Sequence, residues 1–258
     1  MVVIRMTKIV DLPLLVFALT LLTLWLSAQI GALVRKKLRP LEETERPDFD
    51  IVLAGTLTLL GLIIGFGFSM VVSRYDQRKN FEAKEANAIG TEYVRAGLLP
   101  AAEAARVREA LKNYLDQRVL FYVSHDRHQL ARVSRDTSQL QTDLWSIVQT
   151  TAARQPTPTV ALAVSGMNDV LDSQGYTQAA WWNRLPIAAW CLVLAIAIFC
   201  NLLVGYASQR RGRSLLLVLP LAVATSFFLI ADIDSPRHGL IHVVPQNLIS
   251  LSQSLRAQ

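Results

Sequence analysis

Charge is missing from four long stretches of this sequence, which are 12–34, 51–73, 185–209 and 214–231. Each stretch holds 18 or more residues, and about 20 apolar residues are enough for a helix to cross the roughly 30 Å hydrocarbon core of a bilayer. The pattern predicts an all-α, polytopic membrane protein with four transmembrane helices at about these positions. Because no acidic, basic or histidine side chain lies inside them, an energised pump is disfavoured and passive behaviour is favoured.

Motifs for catalysis and cofactor binding are also missing. The glycines of 61–67 lack the Lys-Ser/Thr of a phosphate loop, and no nucleophile elbow or Cys-x-x-Cys pair occurs. The two cysteines, Cys191 and Cys200, lie on roughly opposite faces of one predicted helix and cannot bridge each other. His238 and His242 are one helical turn apart, but no third metal ligand is evident. We therefore expect no enzyme activity, no cofactor and no metal.

Basic residues outnumber acidic ones, giving a formal net charge of +6. They cluster beside the apolar stretches, in RKKLR at 35–39 and RRGR at 210–213. At such positions, anionic lipid headgroups are the expected counter-charge. The lipid bilayer is therefore an expected partner, and nucleic acid is not.

The residues 74–184 are the only substantial polar region. Acidic and basic side chains are nearly balanced there, which is typical of a solvated helical surface. The hydrophobic spacing predicts helices at about 101–124, 128–153 and 159–182. The predicted organisation is thus a membrane part at 1–73, a helical extramembrane bundle at 74–184, and a second membrane part with a C-terminal tail at 185–258.

The second apolar stretch carries two ridges of residues spaced four apart. Small side chains form one ridge, which predicts close packing against another helix: Gly61, Gly65 and Ser69. Larger and mostly apolar side chains form the neighbouring ridge: Thr58, Leu62, Phe66 and Met70. A helix with one smooth and one bulky ridge is suited to packing against copies of itself.

Two acids, Asp232 and Asp234, follow the last apolar stretch. One interpretation is a cation ligand or a charged pore vestibule, because acids at membrane depth usually serve a function. The other is a helix end, since Asp and Ser form caps and turns and Pro236 stops a helix. Their position at a boundary favours the helix end.

Three segments resemble a known family. The run GFGFSMVVSRY at 65–75 resembles the second membrane helix of bestrophins, and NFEAKEANAIG at 80–90 resembles the bacterial bestrophin-like domain family. The segment DIDSPRHG at 232–239 is similar to the acidic segment after the last bestrophin span. The clustered acids of the bestrophin calcium clasp have no match. The resemblance implies four spans, with a cytosolic helical domain between the second and third.

The resemblance also implies a function. Bestrophins are pentameric anion channels whose second helices ring the pore, and their register places the pore neck at Thr58, Leu62 and Phe66. The implied protein is a homo-oligomeric channel for small anions in the bacterial inner membrane. The alternative is a non-conducting scaffold or sensor whose helical domain binds a partner. The number of lysines and arginines near the membrane is equal on both sides and gives no orientation.

Overall fold

The computed structural model describes residues 11–37, 44–208 and 215–257. Helices make up most of this part of the chain, and it contains no strand, which confirms the all-α prediction. The α-helices, in chain order, are α1 Pro13–Lys37, α2 Arg46–Arg95, α3 Ala101–Val123, α4 Arg127–Arg154, α5 Pro158–Trp182, α6 Ile187–Ala207, α7 Val218–Asp234 and α8 Gln246–Arg256.

Local sequence signals account for several helix ends. Helix α2 gives way to a 3₁₀ turn at Ala96–Leu98, and α3 begins after Pro100. At α4 the Asp126 side chain accepts hydrogen bonds from two backbone N–H groups of the first turn. At α5 the Thr157 hydroxyl accepts one such hydrogen bond, from the N–H of Val160, and proline occupies the first helical position. The three helices predicted between 101 and 182 are confirmed to within about a residue at each end.

Three helical segments of the described chain are long and apolar enough to cross a membrane: Pro13–Arg35, Arg46–Leu98 and Pro158–Ala207. The second and third segments extend beyond the uncharged stretches 51–73 and 185–209 into the polar region, and the third includes both α5 and α6. The fourth predicted span, 214–231, corresponds to a 3₁₀ turn at Leu215–Leu217 followed by α7, which has only 17 residues. Pro220 lies in the first turn of α7, where its missing N–H breaks no helical hydrogen bond. The fourth span therefore stays a prediction.

The described chain divides into two compact units. The first unit comprises the described residues of Met1–Arg74 and Arg184–His242, and α1 packs there against α6 and α7. Glycines allow the contact between α1 and α6 to be very close. A Cβ atom built on Gly31 would overlap the carbonyl of Leu202, and one built on Gly205 would overlap the carbonyl of Ala28. This is the small-residue contact that membrane helices commonly use.

The second unit comprises the described residues of Tyr75–Asn183 and Val243–Gln258. Its core lies between α3 and α4, with α5 packed on α4 and α8 packed on α3. Three aromatic rings meet in this core, with the ring centroids of Phe121 and Trp181 only 4.9 Å apart and Tyr122 at 5.4 Å from both. Trp181 and Trp182 precede the third apolar stretch, a pattern that predicts aromatic residues at the membrane interface. The structure buries Trp181 in this cluster and leaves Trp182 75% exposed.

Candidate functional site

The predicted pore-neck residues share an exposed face of α2. Leu62 is 54% exposed and Phe66 is 64% exposed. Thr58 is exposed as well, and its hydroxyl donates a hydrogen bond to the Ala54 carbonyl at 2.8 Å. Leu60 of the same helix is buried in the apolar core of the first unit. Within one subunit, α2 therefore has one packed side and one large apolar side without an intrachain covering.

The small-residue ridge lies on the same uncovered side. Gly61, Gly65 and Ser69 are all exposed. A Cβ atom built on Gly61 or on Gly65 would meet nothing within 4 Å. These glycines are thus not needed for packing inside the subunit, unlike Gly31 and Gly205. Their role in packing between subunits stays a prediction.

Replacing Gly65 with leucine should dissociate the assembly and leave the subunit folded. A leucine there has open space in the subunit but would hold a neighbouring helix away. Size-exclusion chromatography with light scattering checks the oligomer, and thermal melting checks the fold. The control is Gly205→Leu, which should lower the melting temperature because its side chain has no room against Ala28. An intact Gly65→Leu oligomer would contradict the prediction.

Both acids after the last apolar stretch are buried and bound to the backbone. The Asp232 carboxylate accepts hydrogen bonds from the N–H groups of Leu240 and Ile241, at 2.7 and 2.8 Å. The Asp234 carboxylate accepts from the N–H of Leu185, at 3.1 and 3.2 Å, and lies 3.6 Å from the guanidinium of Arg74. The Asp232 contacts fix the turn after α7, and the Asp234 contacts fix the segment that leads into α6. Such contacts are typical of acids that end a helix, and both the helix-end and the vestibule interpretations stay predictions.

Asp232→Asn should fold and assemble with a smaller loss of stability than an alanine variant, because its amide oxygen still accepts one of the two backbone hydrogen bonds, whereas its amide NH2 group cannot accept the other. Asp232→Ala should lower the free energy of unfolding by about 1–3 kcal/mol, since it leaves two N–H groups without their acceptor. Denaturant unfolding in detergent measures the difference. A changed anion flux in an Asp232→Asn variant with normal assembly would instead assign the vestibule role.

The second unit buries a polar network around Glu85. This carboxylate pairs with the Arg118 guanidinium and accepts a hydrogen bond from the Thr177 hydroxyl at 3.0 Å. The Tyr122 hydroxyl lies 3.5 Å away, and burial, followed by the charge of Glu85, raises the pKa of Tyr122. The network joins α2, α3 and α5. Because each partner is satisfied by the others, it specifies how these helices pack.

Two further buried charged residues of α2 bind the ends of other helices. Glu82 accepts hydrogen bonds from the N–H groups of Asn247 and Leu248, both at 2.9 Å, and so caps the first turn of α8. Arg78 donates to the carbonyls of Ala180 and Asn183, at 3.3 Å each, and so binds the end of α5. Both contacts tie elements that are distant in sequence to one helix.

Sequence reasoning missed these buried charges, because it assigned the polar region a solvated surface. A signal was nevertheless present. From Arg78 onward, most buried positions of α2 and the turn after it alternate four and three residues apart, as in a heptad, and Ala86 is a further buried position beside this series: Arg78, Glu82, Glu85, Ile89, Glu92 and Ala96. Charged side chains at such positions indicate buried pairs instead of a wet surface. Among the described residues, no group of three or more His, Cys, Asp or Glu side chains is placed to hold a metal ion.

These features define a class of protein: in the described residues it is all-helical, with apolar helices of membrane-crossing length and a second, helical unit. A family model, the Bestrophin-like domain, matches residues 15–248. The chain belongs to this bestrophin-like family, which confirms the resemblance seen in the sequence. With its apolar helices, it is a membrane protein. No curated protein matches the sequence.

Solved structures share the fold. A point mutant of a bacterial bestrophin homologue from Klebsiella pneumoniae is 14% identical, with 95% of this chain and 98% of that chain covered and a TM-score of 0.66. Another crystal structure of a homologue from this organism is 15% identical, covers 93% and 98%, and has a TM-score of 0.61. A third, described only as a membrane protein, is 12% identical, covers 93% and 97%, and has a TM-score of 0.64. At these identities the likeness establishes the fold.

Proposed function

We propose that this chain forms a passive anion channel, of chloride type, in the bacterial inner membrane. Copies of the chain assemble as a homo-oligomer, a pentamer by family resemblance, and α2 lines the pore. The observation that carries the proposal is the exposure of Leu62 and Phe66, two large apolar side chains without a covering within the subunit. Large exposed apolar patches mark surfaces that contact another partner.

The composition of this face supports a pore more than a lipid contact. Thr58 and Ser69 are polar, and Gly61 and Gly65 leave the backbone uncovered. A face turned to lipid gains nothing from hydroxyls and bare backbone, whereas a contact between helices uses small residues and a pore tolerates hydroxyls. Repeated around a symmetry axis, Leu62 and Phe66 form a narrow apolar ring.

An apolar ring functions as a gate for hydrated ions. An ion that enters must give up water without receiving another partner, and the free-energy cost is large. A narrow hydrophobic constriction therefore empties of water and blocks conduction when closed. Because the charge-free stretch of α2 contains no ionisable group that could couple transport to protons, conduction through this ring is passive.

Chloride flux through the purified protein in liposomes tests the proposal. The expected result is a flux above that of empty liposomes, carried by an oligomer whose central helices are resolved by cryo-electron microscopy as α2. An oligomer with a continuous axial opening and measurable flux supports the channel. A monomer, a dimer, or an oligomer with solid central packing and no flux supports the alternative, a non-conducting scaffold or sensor.

A further inference from the structure

Glu92 is a fully buried carboxyl group near the end of α2, and the contacts described above do not use it. The residue has 0% exposure, and neither carboxyl oxygen has a hydrogen-bond partner in the described part of the chain. An ionised carboxylate without partners is costly to bury, so such a group retains its proton. Burial accordingly raises the pKa of Glu92 from 4.5 to about 8, with smaller opposing effects of Arg95, which lowers it, and Asp169, which raises it.

A glycine of α5 makes room for this carboxyl group. A Cβ atom built on Gly166 would overlap the Oε2 atom of Glu92 and would lie 2.7 Å from the Nη1 atom of Arg95. Both side chains therefore extend over the same glycine. Residues three apart on a helix are neighbours on its surface, so the Arg95 guanidinium is within reach of Glu92.

Arg95 nevertheless pairs with a different acid. Its Nη1 atom lies 3.8 Å from the Oδ2 atom of Asp169 on α5, and Asp169 is mostly exposed. These two residues are the charged groups that act on Glu92, one from its own helix and one from the helix packed against it. Arg95 thus has two carboxyl groups within reach, one exposed and one buried. The charge state of the buried one decides which partner is favoured.

We propose that Glu92, Arg95 and Asp169 form a proton-operated switch at the contact between α2 and α5. When Glu92 is neutral, Arg95 pairs with Asp169 and connects the two helices. When Glu92 releases its proton, the new carboxylate attracts Arg95, the pair lies within α2, and the connection to Asp169 is lost. Each state satisfies the guanidinium, so the switch exchanges one ion pair for another. The device requires no ion conduction, and it can be tested whether or not the protein is a channel.

The direction of its effect on stability follows from proton linkage. Between the ordinary pKa of 4.5 and the folded-state pKa of about 8, the folded protein holds a proton on Glu92 that the unfolded chain does not hold. The contribution of this proton to the free energy of unfolding is therefore fully present below pH 4.5, falls as the pH rises through this window, and levels off above about pH 8. Glu92→Gln should remove this slope.

Infrared difference spectroscopy of the full-length protein in lipid nanodiscs measures the proton directly. Titration from about pH 6 to about pH 10 should show the loss of a protonated-carboxyl band with a midpoint near 8. The band should be absent in Glu92→Gln. Asp169→Asn should lower the midpoint because it removes a neighbouring negative charge, and Arg95→Gln should raise it because it removes the positive one.

The matched control is Asp172→Asn, which makes the same change at an exposed acid farther along α5 and should leave the midpoint unchanged.

Nitrogen–carbon distance measurements by solid-state NMR then report the partner of Arg95. The contact with the Asp169 carboxyl should disappear above the midpoint, and one with Glu92 should appear. A midpoint near 4.5, or shifts of the same sign in the Asp169 and Arg95 variants, would overturn the switch. An Arg95–Asp169 contact that persists at high pH would also overturn it.

Discussion

Replacing Arg118 with methionine should lower the free energy of unfolding by about 3–5 kcal/mol, because the change leaves a buried charge without its partner. Arg118 and Glu85 are both buried side chains, and each is the other's counter-charge. Methionine fills much of the same volume, so the loss arises from Glu85 and not from a cavity. Denaturant unfolding of the purified protein in detergent measures the change.

An exposed ion pair of the same unit provides the matched control. The guanidinium of Arg256 lies 2.9 Å from the carboxylate of Asp116, and the two side chains are 68% and 41% exposed. Arg256→Met should therefore cost no more than about 1 kcal/mol. Adding Glu85→Gln to Arg118→Met should restore part of the lost stability, since the buried charge is then gone. Equal costs for the two single methionine variants would show that the buried pair carries no special energy.

The helices of the described chain could largely be predicted from the sequence, because their signals are local. Pro100 and Pro158 begin helices, and each predicted helix between 101 and 182 lies where its hydrophobic spacing placed it. The fourth span was less predictable. An uncharged stretch reveals apolar character, but it does not show that Leu215–Leu217 would form a 3₁₀ turn and leave a helix of only 17 residues.

The buried charges could not be predicted with their partners, because those partners are far away in sequence. Arg118 is 33 residues from Glu85, and Thr177 is 92 residues from it. The heptad spacing of α2 indicates that Glu85 is buried, but only the tertiary structure supplies the cation that neutralises it. Glu92 has the same spacing, but the cation beside it, Arg95, is paired with Asp169, and this difference distinguishes a structural acid from a proton-binding one.

The close contact between helices at small residues is also not predictable from the sequence alone. The spacing of Gly61 and Gly65 identifies a smooth ridge but not the helix that covers it. Within the subunit, the close approach is made instead by Gly31 and Gly205, which stand alone in their helices and form no repeat. Pairing of single glycines on different helices is a property of the fold, so a repeat within one helix does not reveal it.

Phe66→Ala should raise chloride flux in liposomes by at least about tenfold if Phe66 forms the apolar gate. Removing the ring widens the constriction and lets water remain in it, and a barrier lowered by only about 1.4 kcal/mol gives a tenfold rate. Phe66 is 64% exposed in the subunit and has no core packing to lose. Assembly, checked by size-exclusion chromatography with light scattering, should therefore be unchanged.

A second phenylalanine separates gating from a general effect of losing a ring in the membrane. Phe199 of α6 is 52% exposed, close to the value for Phe66, but lies on a helix that the proposal does not place at the pore. Phe199→Ala should leave the flux at the parent level. If both variants raise the flux equally, the leak arises from disturbed lipid packing. If Phe66→Ala assembles correctly and its flux equals that of empty liposomes, Phe66 faces lipid or a solid helix contact, and the channel proposal fails.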